Sequence, residues 1–139
     1  MNANRHYAHQ YPTTRTPPAA KKASGDAKLL QASLGPQYNV TCEVRFHKSR
    51  KWRIDLVVER DRDDAPDIGH IGFDCTRQPL AIEIDGGLFV RGRHTRGAEM
   101  QKSMEKDYHA MLAGFRVLHV STSMLKDGRA RDWIVELLK

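Results

Sequence analysis

The chain has 139 residues and a formal net charge of +6, with 29% charged and 40% hydrophobic residues. This length supports one domain with a real core and is too short for two. No apolar run approaches the roughly 18 residues of a membrane span, and no signal-peptide pattern is present. We therefore expect a cytoplasmic protein without a membrane partner. Two cysteines are too few for a disulfide framework.

Residues 1–23 are rich in Pro and Thr, are basic and lack hydrophobic periodicity. No acid precedes Asp26, and four cations lie in this stretch: Arg5, Arg15, Lys21 and Lys22. Such a segment cannot bury enough apolar surface to order itself. We predict a disordered basic arm over 1–23 and a single domain over 24–139. The arm alone attracts polyanions weakly and without regard to sequence.

Three strands are predicted in the first part of the domain. Apolar and polar residues alternate over 38–46 and 52–59, which predicts a pair of strands joined by a polar turn. A third apolar run covers 80–85 and stops at Gly86-Gly87, where the backbone must turn or allow a close approach. The segment 61–79 is long and charged and has no clear pattern.

Three helices and a fourth strand complete the predicted order. One helix ends before Gly35, the second runs from about 98 to 113, and the third is C-terminal. The second is expected to bury an apolar stripe: Met100, Met104, Tyr108, Met111 and Leu112. A strand over 115–120 lies between the last two helices. Three strands in a meander and a helical crossover give an α/β protein with a mixed four-stranded sheet flanked by helices, in the order αβββαβα.

Three acids on two of the strands carry the candidate chemistry. Glu83 and Asp85 lie two residues apart and so point the same way, and Asp55 lies within the second strand. A carboxylate on a buried strand is costly unless it is paired or holds a metal. Carboxylate oxygens suit Mg²⁺ or Mn²⁺. The alternative is that Asp55 and Glu83 pair with bases such as Arg53 or Arg45 on a solvated face.

Four short elements occur in a specific order. They are Trp52-Arg53-Ile54-Asp55, Glu83-Ile84-Asp85-Gly86-Gly87, Gly92-Arg93-His94-Thr95-Arg96-Gly97 and Glu105-Lys106. Over about residues 40–120 the chain thereby resembles the PD-(D/E)XK nuclease superfamily, in particular its small phage and bacterial members. The resemblance implies a restriction-endonuclease-like fold and metal-dependent hydrolysis of phosphodiester bonds in DNA, duplex or branched.

The resemblance also implies roles for individual residues. Asp55 and Glu83 would bind the metal, and the carbonyl of Ile84 is a further candidate ligand. Asp85 stands where the superfamily usually has lysine, so it is a ligand, a residue that orients one, or a structural acid. In some relatives the lysine comes from the following helix, which makes Lys102 and Lys106 candidates, four residues apart on one helical face. A lysine there orients the water or stabilises the charge on the phosphate.

The spacing between the acids leaves one choice open. Residues 56–82 separate Asp55 from Glu83, whereas a tight hairpin needs about a dozen. Either 61–79 is an insertion at the hairpin tip, or Asp74 is the acid of the second motif. We prefer Asp55, because its strand alternates regularly.

The loop predicted over 91–97 supplies candidate contacts to nucleic acid. Its arginines, Arg91, Arg93 and Arg96, can grip phosphate bidentately, and Lys102 adds a cation on the next helix. His94 is a candidate general acid for the leaving oxygen, or a phosphate donor.

These observations predict a Mg²⁺-dependent DNA endonuclease of phage type, with structure-specific or junction-resolving activity as one form. The alternatives are a nucleic-acid-binding protein that kept the fold without the chemistry, and a nuclease that acts on RNA. A homodimer would fit a symmetric junction, because resolving one requires two active sites related by symmetry.

Overall fold

The structure is a computed structural model that describes residues 24–60, 78–86 and 93–139, with side chains from residue 97 in the last range. Its elements are α1 (Gly25–Ser33), β1 (Tyr38–Arg45), β2 (Arg53–Arg60), β3 (Leu80–Asp85), α2 (Arg93–Leu112), β4 (Arg116–Ser121), α3 (Thr122–Lys126) and α4 (Arg129–Leu137). The predicted arm over 1–23, Asp74 and Arg91 lie outside the described residues. Within these ranges, no helix is long and apolar enough to cross a membrane.

The four strands form one mixed sheet in the order β1-β2-β3-β4. β1 pairs with β2 and β2 with β3 in antiparallel fashion, and β3 pairs with β4 in parallel. The parallel pair requires a crossover, which α2 provides. The predicted α/β architecture with a four-stranded mixed sheet is thus confirmed. The short helix α3 was not predicted; Ser121 begins it by accepting the Met124 N–H at 3.4 Å.

Helices cover both faces of the sheet. On one face, α1, α3 and α4 pack over a first core of ten buried residues, all apolar: Ala27, Leu30, Leu56, Val58, Leu80, Ile82, Val120, Ala130, Ile134 and Leu138. On the other face, α2 packs over a smaller second core: Phe46, Ile54, Val57, Ala81 and Ala110. β2 is buried from both sides, as expected for a central strand covered by two helical layers.

The ladder on either side of β2 is irregular around Asp55. The register pairs Cys42 with Leu56 and Val44 with Ile54, so that Glu43 lies opposite Asp55 with a left-handed φ of 53°. Residues two apart on a regular strand share a face. Here Leu56 packs in the first core and Ile54 in the second. The strand therefore changes faces at Asp55, and such strained backbone clusters at functional sites.

Helix α2 begins at Arg93, about five residues earlier than the sequence indicated. The prediction of a loop over 91–97 is therefore wrong for residues 93–97. Gly97 inside the helix costs about 1 kcal/mol relative to alanine, which the following turns offset. The predicted end is confirmed, because Gly114 adopts a φ of 88° and Phe115 N–H donates to the Ala110 carbonyl at 3.1 Å, the Schellman arrangement.

The apolar stripe of α2 does not face the core. Met100, Met104, Tyr108 and Met111 are 61%, 56%, 56% and 56% exposed, so the prediction that they fill the core is wrong. The sheet instead contacts the side of α2 that carries the buried Ala110. Periodicity identifies residues that share a helix face. It does not say which face a sheet with charged residues will contact.

Candidate functional site

A carboxylate of β3 and an ammonium of α2 form a close ion pair on the second-core face of the sheet. Lys106 Nζ lies 2.6 Å from Glu83 Oε2, and the two side chains are only 19% and 13% exposed. Both residues were singled out in the sequence, and Lys106 reaches the carboxylate because α2 crosses over the strand that carries it. Lys102, one turn earlier, is exposed. Of the two candidate lysines, Lys106 is therefore the one at the site.

The environment of Glu83 is unfavourable for its negative charge. Burial raises the pKa of Glu83 to about 7 from an ordinary 4.5, although the Lys106 ammonium opposes this shift. The negative charge of Asp55 raises it further. Burial thus disfavours the charged form more than one lysine can compensate. Carboxylates with pKa values shifted towards neutrality concentrate at functional sites.

Asp55 lies next to Glu83 across the two neighbouring strands. The β2–β3 register pairs Val58 with Leu80 and Leu56 with Ile82. Beyond that point, Asp55 Oδ2 accepts the Ile84 N–H at 2.7 Å. The side chain thereby satisfies a backbone donor of β3. Because Ile84 directly follows Glu83, this bond also fixes the Asp55 carboxylate beside the ion pair of Glu83 and Lys106.

Asp85 takes part in a separate network. His119 Nδ1 lies 2.8 Å from Asp85 Oδ2, and His119 Nε2 lies 2.9 Å from Asp107 Oδ2. His119 is the parallel register partner of Glu83 on β4. Because ionised carboxylates only accept hydrogen bonds, this geometry requires a proton on each ring nitrogen. We call Asp85, His119 and Asp107 the histidine bridge.

The histidine bridge ties β3, β4 and α2 together beside Glu83. Burial opposes charge on the imidazole, but the hydrogen bonds to Asp85 and Asp107 outweigh it and raise the pKa of His119. Sequence reasoning missed His119 and Asp107. The available signal was a histidine inside an otherwise apolar strand, Val117-Leu118-His119-Val120, and its significance depends on the register with β3.

The donor chemistry at this site fits Mg²⁺ or Mn²⁺. Asp55 and Glu83 offer hard carboxylate oxygens, and Mg²⁺ is commonly held by one or two carboxylates together with waters and substrate phosphates. Added positive charge would also favour the charged form of Glu83, which burial and, to a lesser extent, the Asp55 carboxylate disfavour. Among the described residues, however, no three His, Cys, Asp or Glu side chains are grouped to hold a metal ion. Asp55 is bonded to the Ile84 N–H next to Glu83, whereas Asp85 is bonded to His119.

The remaining predicted residues lie near the start of α2. Arg93, His94 and Arg96 fall within the first turns of the helix, in the part whose side chains are not described. Lys102 is exposed one turn before Lys106. Arg91 is outside the described residues, so its predicted phosphate contact stays a prediction.

Comparison with known proteins identifies no relative of this chain. No family model matches the sequence, and neither a curated protein nor a solved structure does so.

Proposed function

We propose that this protein is a metal-dependent nuclease that hydrolyses phosphodiester bonds in DNA, with Asp55, Glu83 and Lys106 as its catalytic residues. The observation that carries the proposal is the pair of carboxylates on adjacent strands with the Lys106 ammonium 2.6 Å from Glu83. On this proposal the fold is restriction-endonuclease-like, as the resemblance of the sequence implies. A symmetric dimer and branched substrates belong to the same proposal.

Each residue has a distinct task in this proposal. Asp55 and Glu83 hold a divalent cation, which when bound supplies Lewis-acid stabilisation of the charge that builds on the phosphate. Lys106 Nζ donates hydrogen bonds to the attacking water or to a phosphate oxygen. Lys106 reaches the site from α2 and so takes the role of the lysine that the superfamily usually has at the position of Asp85. His119 holds Asp85 away from Glu83 through a 2.8 Å bond and so acts as a positioning residue.

The basic residues near the start of α2 provide the DNA contacts of the proposal. On this proposal Arg91, Arg93 and Arg96 bind phosphates, and Lys102 adds a further cation on α2. His94 protonates the leaving oxygen or donates a hydrogen bond to a phosphate. Phosphate contacts of this kind position a duplex without reading its sequence.

A second function is favoured by one specific observation. Lys106 pairs directly with Glu83, as expected in a nucleic-acid-binding protein that has kept the fold and replaced the cation by a lysine. The two functions make opposite predictions for cleavage, while both allow DNA binding.

Cleavage of supercoiled and branched DNA in Mg²⁺ or Mn²⁺ decides between them. The nuclease proposal predicts cleavage by the wild type and its loss in Glu83→Ala, with Glu136→Ala as a control because Glu136 forms only an exposed pair with Lys139. Cleavage that survives Glu83→Ala would overturn the assignment of Glu83. DNA binding without cleavage of any substrate would establish the binding protein instead. The same assay on RNA tests whether the protein distinguishes ribose from deoxyribose in its substrate.

A further inference from the structure

A cluster of rings lies at the β1–β2 turn, outside the site described above. Trp52 is its centre, and the rings of His47, His109 and Phe46 lie 5.3, 5.2 and 6.3 Å from it between centroids. The guanidinium carbon of Arg50 lies 5.1 Å from the Trp52 ring centroid. We call Phe46, His47, Trp52, His109 and Arg50 the aromatic cluster.

Phe46 anchors the aromatic cluster, while the rest of it stays accessible. Phe46 is 4% exposed and belongs to the second core. His47, Trp52 and His109 are half-buried, and the Arg50 side chain is 58% exposed. Exposed cation–π contacts contribute only about 0.5–1 kcal/mol, so the contact between Arg50 and Trp52 adds little to the stability of the fold.

The turn 47–51, which carries the His47 ring, is ordered by hydrogen bonds to that ring. His47 Nδ1 accepts the backbone N–H of Ser49 at 3.3 Å and that of Arg50 at 3.1 Å. Nδ1 is therefore an acceptor, and the ring is held at a fixed angle to Trp52. Rings that are fixed before a ligand arrives lower the entropy cost of binding.

The surface around the aromatic cluster is cationic. Three of the five residues in the turn 47–51 are exposed bases: Lys48, Arg50 and Lys51. Glu105 of α2 pairs with Arg50 at 3.3 Å, and the turn 47–51 itself contains no acid. Basic side chains interleaved with rings match a strand of phosphates and bases, since the phosphates attract cations and each base offers a π-face.

This surface continues to the proposed catalytic residues. Lys102, Lys106 and His109 follow one another at spacings of four and three residues, so they lie along one flank of α2. His109 belongs to the aromatic cluster and Lys106 to the ion pair with Glu83. Three residues, about 4.5 Å of helical rise, separate His109 from Lys106 along α2.

We propose that the aromatic cluster and the bases of the turn 47–51 bind unpaired nucleotides of DNA, with the bases against the rings and the phosphates against Lys48, Arg50 and Lys51. The substrate class that follows is DNA with a single-stranded segment, led along α2 to Glu83. The route to Glu83 rests on the proposed nuclease function, whereas the binding of unpaired nucleotides does not.

The two tryptophans of the chain allow a direct binding test. Trp133 lies on α4, which packs on the first core, while Trp52 packs against the second. In Trp133→Phe, emission comes from Trp52 alone, and stacking of a base on that ring quenches it. We expect a short oligothymidylate, added in EDTA, to quench Trp52 emission saturably and to bind more tightly than a blunt duplex. Absence of quenching, or equal affinity for the duplex, would overturn the proposal.

Substitutions test the same contacts by affinity. Trp52→Leu keeps an apolar side chain but removes the stacking face, and should weaken oligothymidylate binding by about fivefold or more; the control Trp133→Leu should not. Lys48→Ala with Lys51→Ala should reduce the slope of log affinity against log salt by about 1.4. Unchanged affinity in Trp52→Leu or an unchanged salt slope would contradict the proposal. If Trp52→Leu fails to fold, as judged by its thermal unfolding, the quenching experiment decides.

Two further experiments distinguish this proposal from RNA binding and from the nuclease function. Oligouridylate binding an order of magnitude more tightly than oligothymidylate would contradict a DNA ligand, whereas similar affinity supports recognition of bases by stacking alone. Glu83→Ala should retain the saturable quenching of Trp52 emission by oligothymidylate. If Glu83→Ala loses cleavage but still binds oligothymidylate, both the nuclease function and the binding site are supported. If the wild type binds oligothymidylate but cleaves no DNA, the aromatic cluster is established as a binding site and the nuclease function is refuted.

Discussion

The two faces of the sheet differ in what they bury. The face under α1, α3 and α4 has a core of ten apolar residues, whereas the face under α2 combines five apolar residues with the ion pair of Glu83 and Lys106 and the histidine bridge. Burying apolar surface stabilises a fold without directional demands. Burying charge costs free energy unless each charge has a partner. The first face therefore stabilises the fold. The second face holds charged groups in place, at a cost in free energy that the first face offsets.

The largest expected effect is on the apolar face. Ile134 of α4 is fully buried in the first core, so Ile134→Ala should lower the free energy of unfolding by about 2–5 kcal/mol. Urea denaturation measures this loss. Leu29→Ala, which truncates a side chain that is 51% exposed, is the matched control and should cost far less. Similar losses in both variants would contradict the assignment of this face as the stabilising one.

The next effect is a pH dependence on the charged face. The folded-state pKa of Glu83 is raised to about 7, so the folded chain keeps a proton that the unfolded chain has already lost. The stability from this group is present below about pH 4.5 and is lost as pH rises through about 7. Wild-type stability should therefore fall relative to Glu83→Gln across this window, by up to about 3 kcal/mol.

Urea denaturation of both proteins in EDTA at about pH 4.5 and pH 8 measures this difference. Glu136→Gln is the control, because the Glu136 side chain is 71% exposed. If the stabilities of the wild type and Glu83→Gln follow parallel curves with pH, the charge on Glu83 is not disfavoured in the folded protein.

A smaller effect of the same sign is expected for the histidine bridge. The pKa of His119 is raised because its bonds to Asp85 and Asp107 outweigh burial. That stability is present below the ordinary value of 6.5 and is lost as pH rises through the folded-state value. His119→Gln should lose about 0.5–1 kcal/mol near pH 5.5 and less near pH 9, a modest figure because one third of the side chain is exposed. A thermal-unfolding difference that does not change with pH would contradict an imidazolium at this position.

The smallest effect concerns the exposed stripe of α2. Met104 is 56% exposed, so Met104→Gln should change stability by no more than about 0.5 kcal/mol in urea denaturation. A loss of several times that size would show that the methionine stripe is buried after all, as periodicity alone suggested.

The sequence predicted the strands better than it predicted the helix faces. The strand over 80–85 matches β3, and its neighbours were located because their alternation reflects burial. The end of α2 at Gly114 followed from local chemistry. The start of α2 and its buried side depend on tertiary packing and were misjudged.

The candidate site was predictable where its residues are local and was missed where they are not. Glu83 was identified from its own strand, and Lys106 came as a candidate from the resemblance. His119 and Asp107 belong to other elements, and only the parallel register of β3 with β4 brings the histidine opposite Glu83. The histidine inside an apolar strand is a local signal, but its partners follow only from this non-local pairing.

The most direct test of the central claim is the rate of Mg²⁺-dependent DNA cleavage by Glu83→Gln, Lys106→Met and the double variant. Lys126→Met, which removes an exposed lysine of α3, is the control. If the two residues act as one catalytic unit, each single substitution lowers the rate by at least about 100-fold, and the double variant is no slower than the slower single. Cleavage by Lys106→Met at the wild-type rate would contradict the claim.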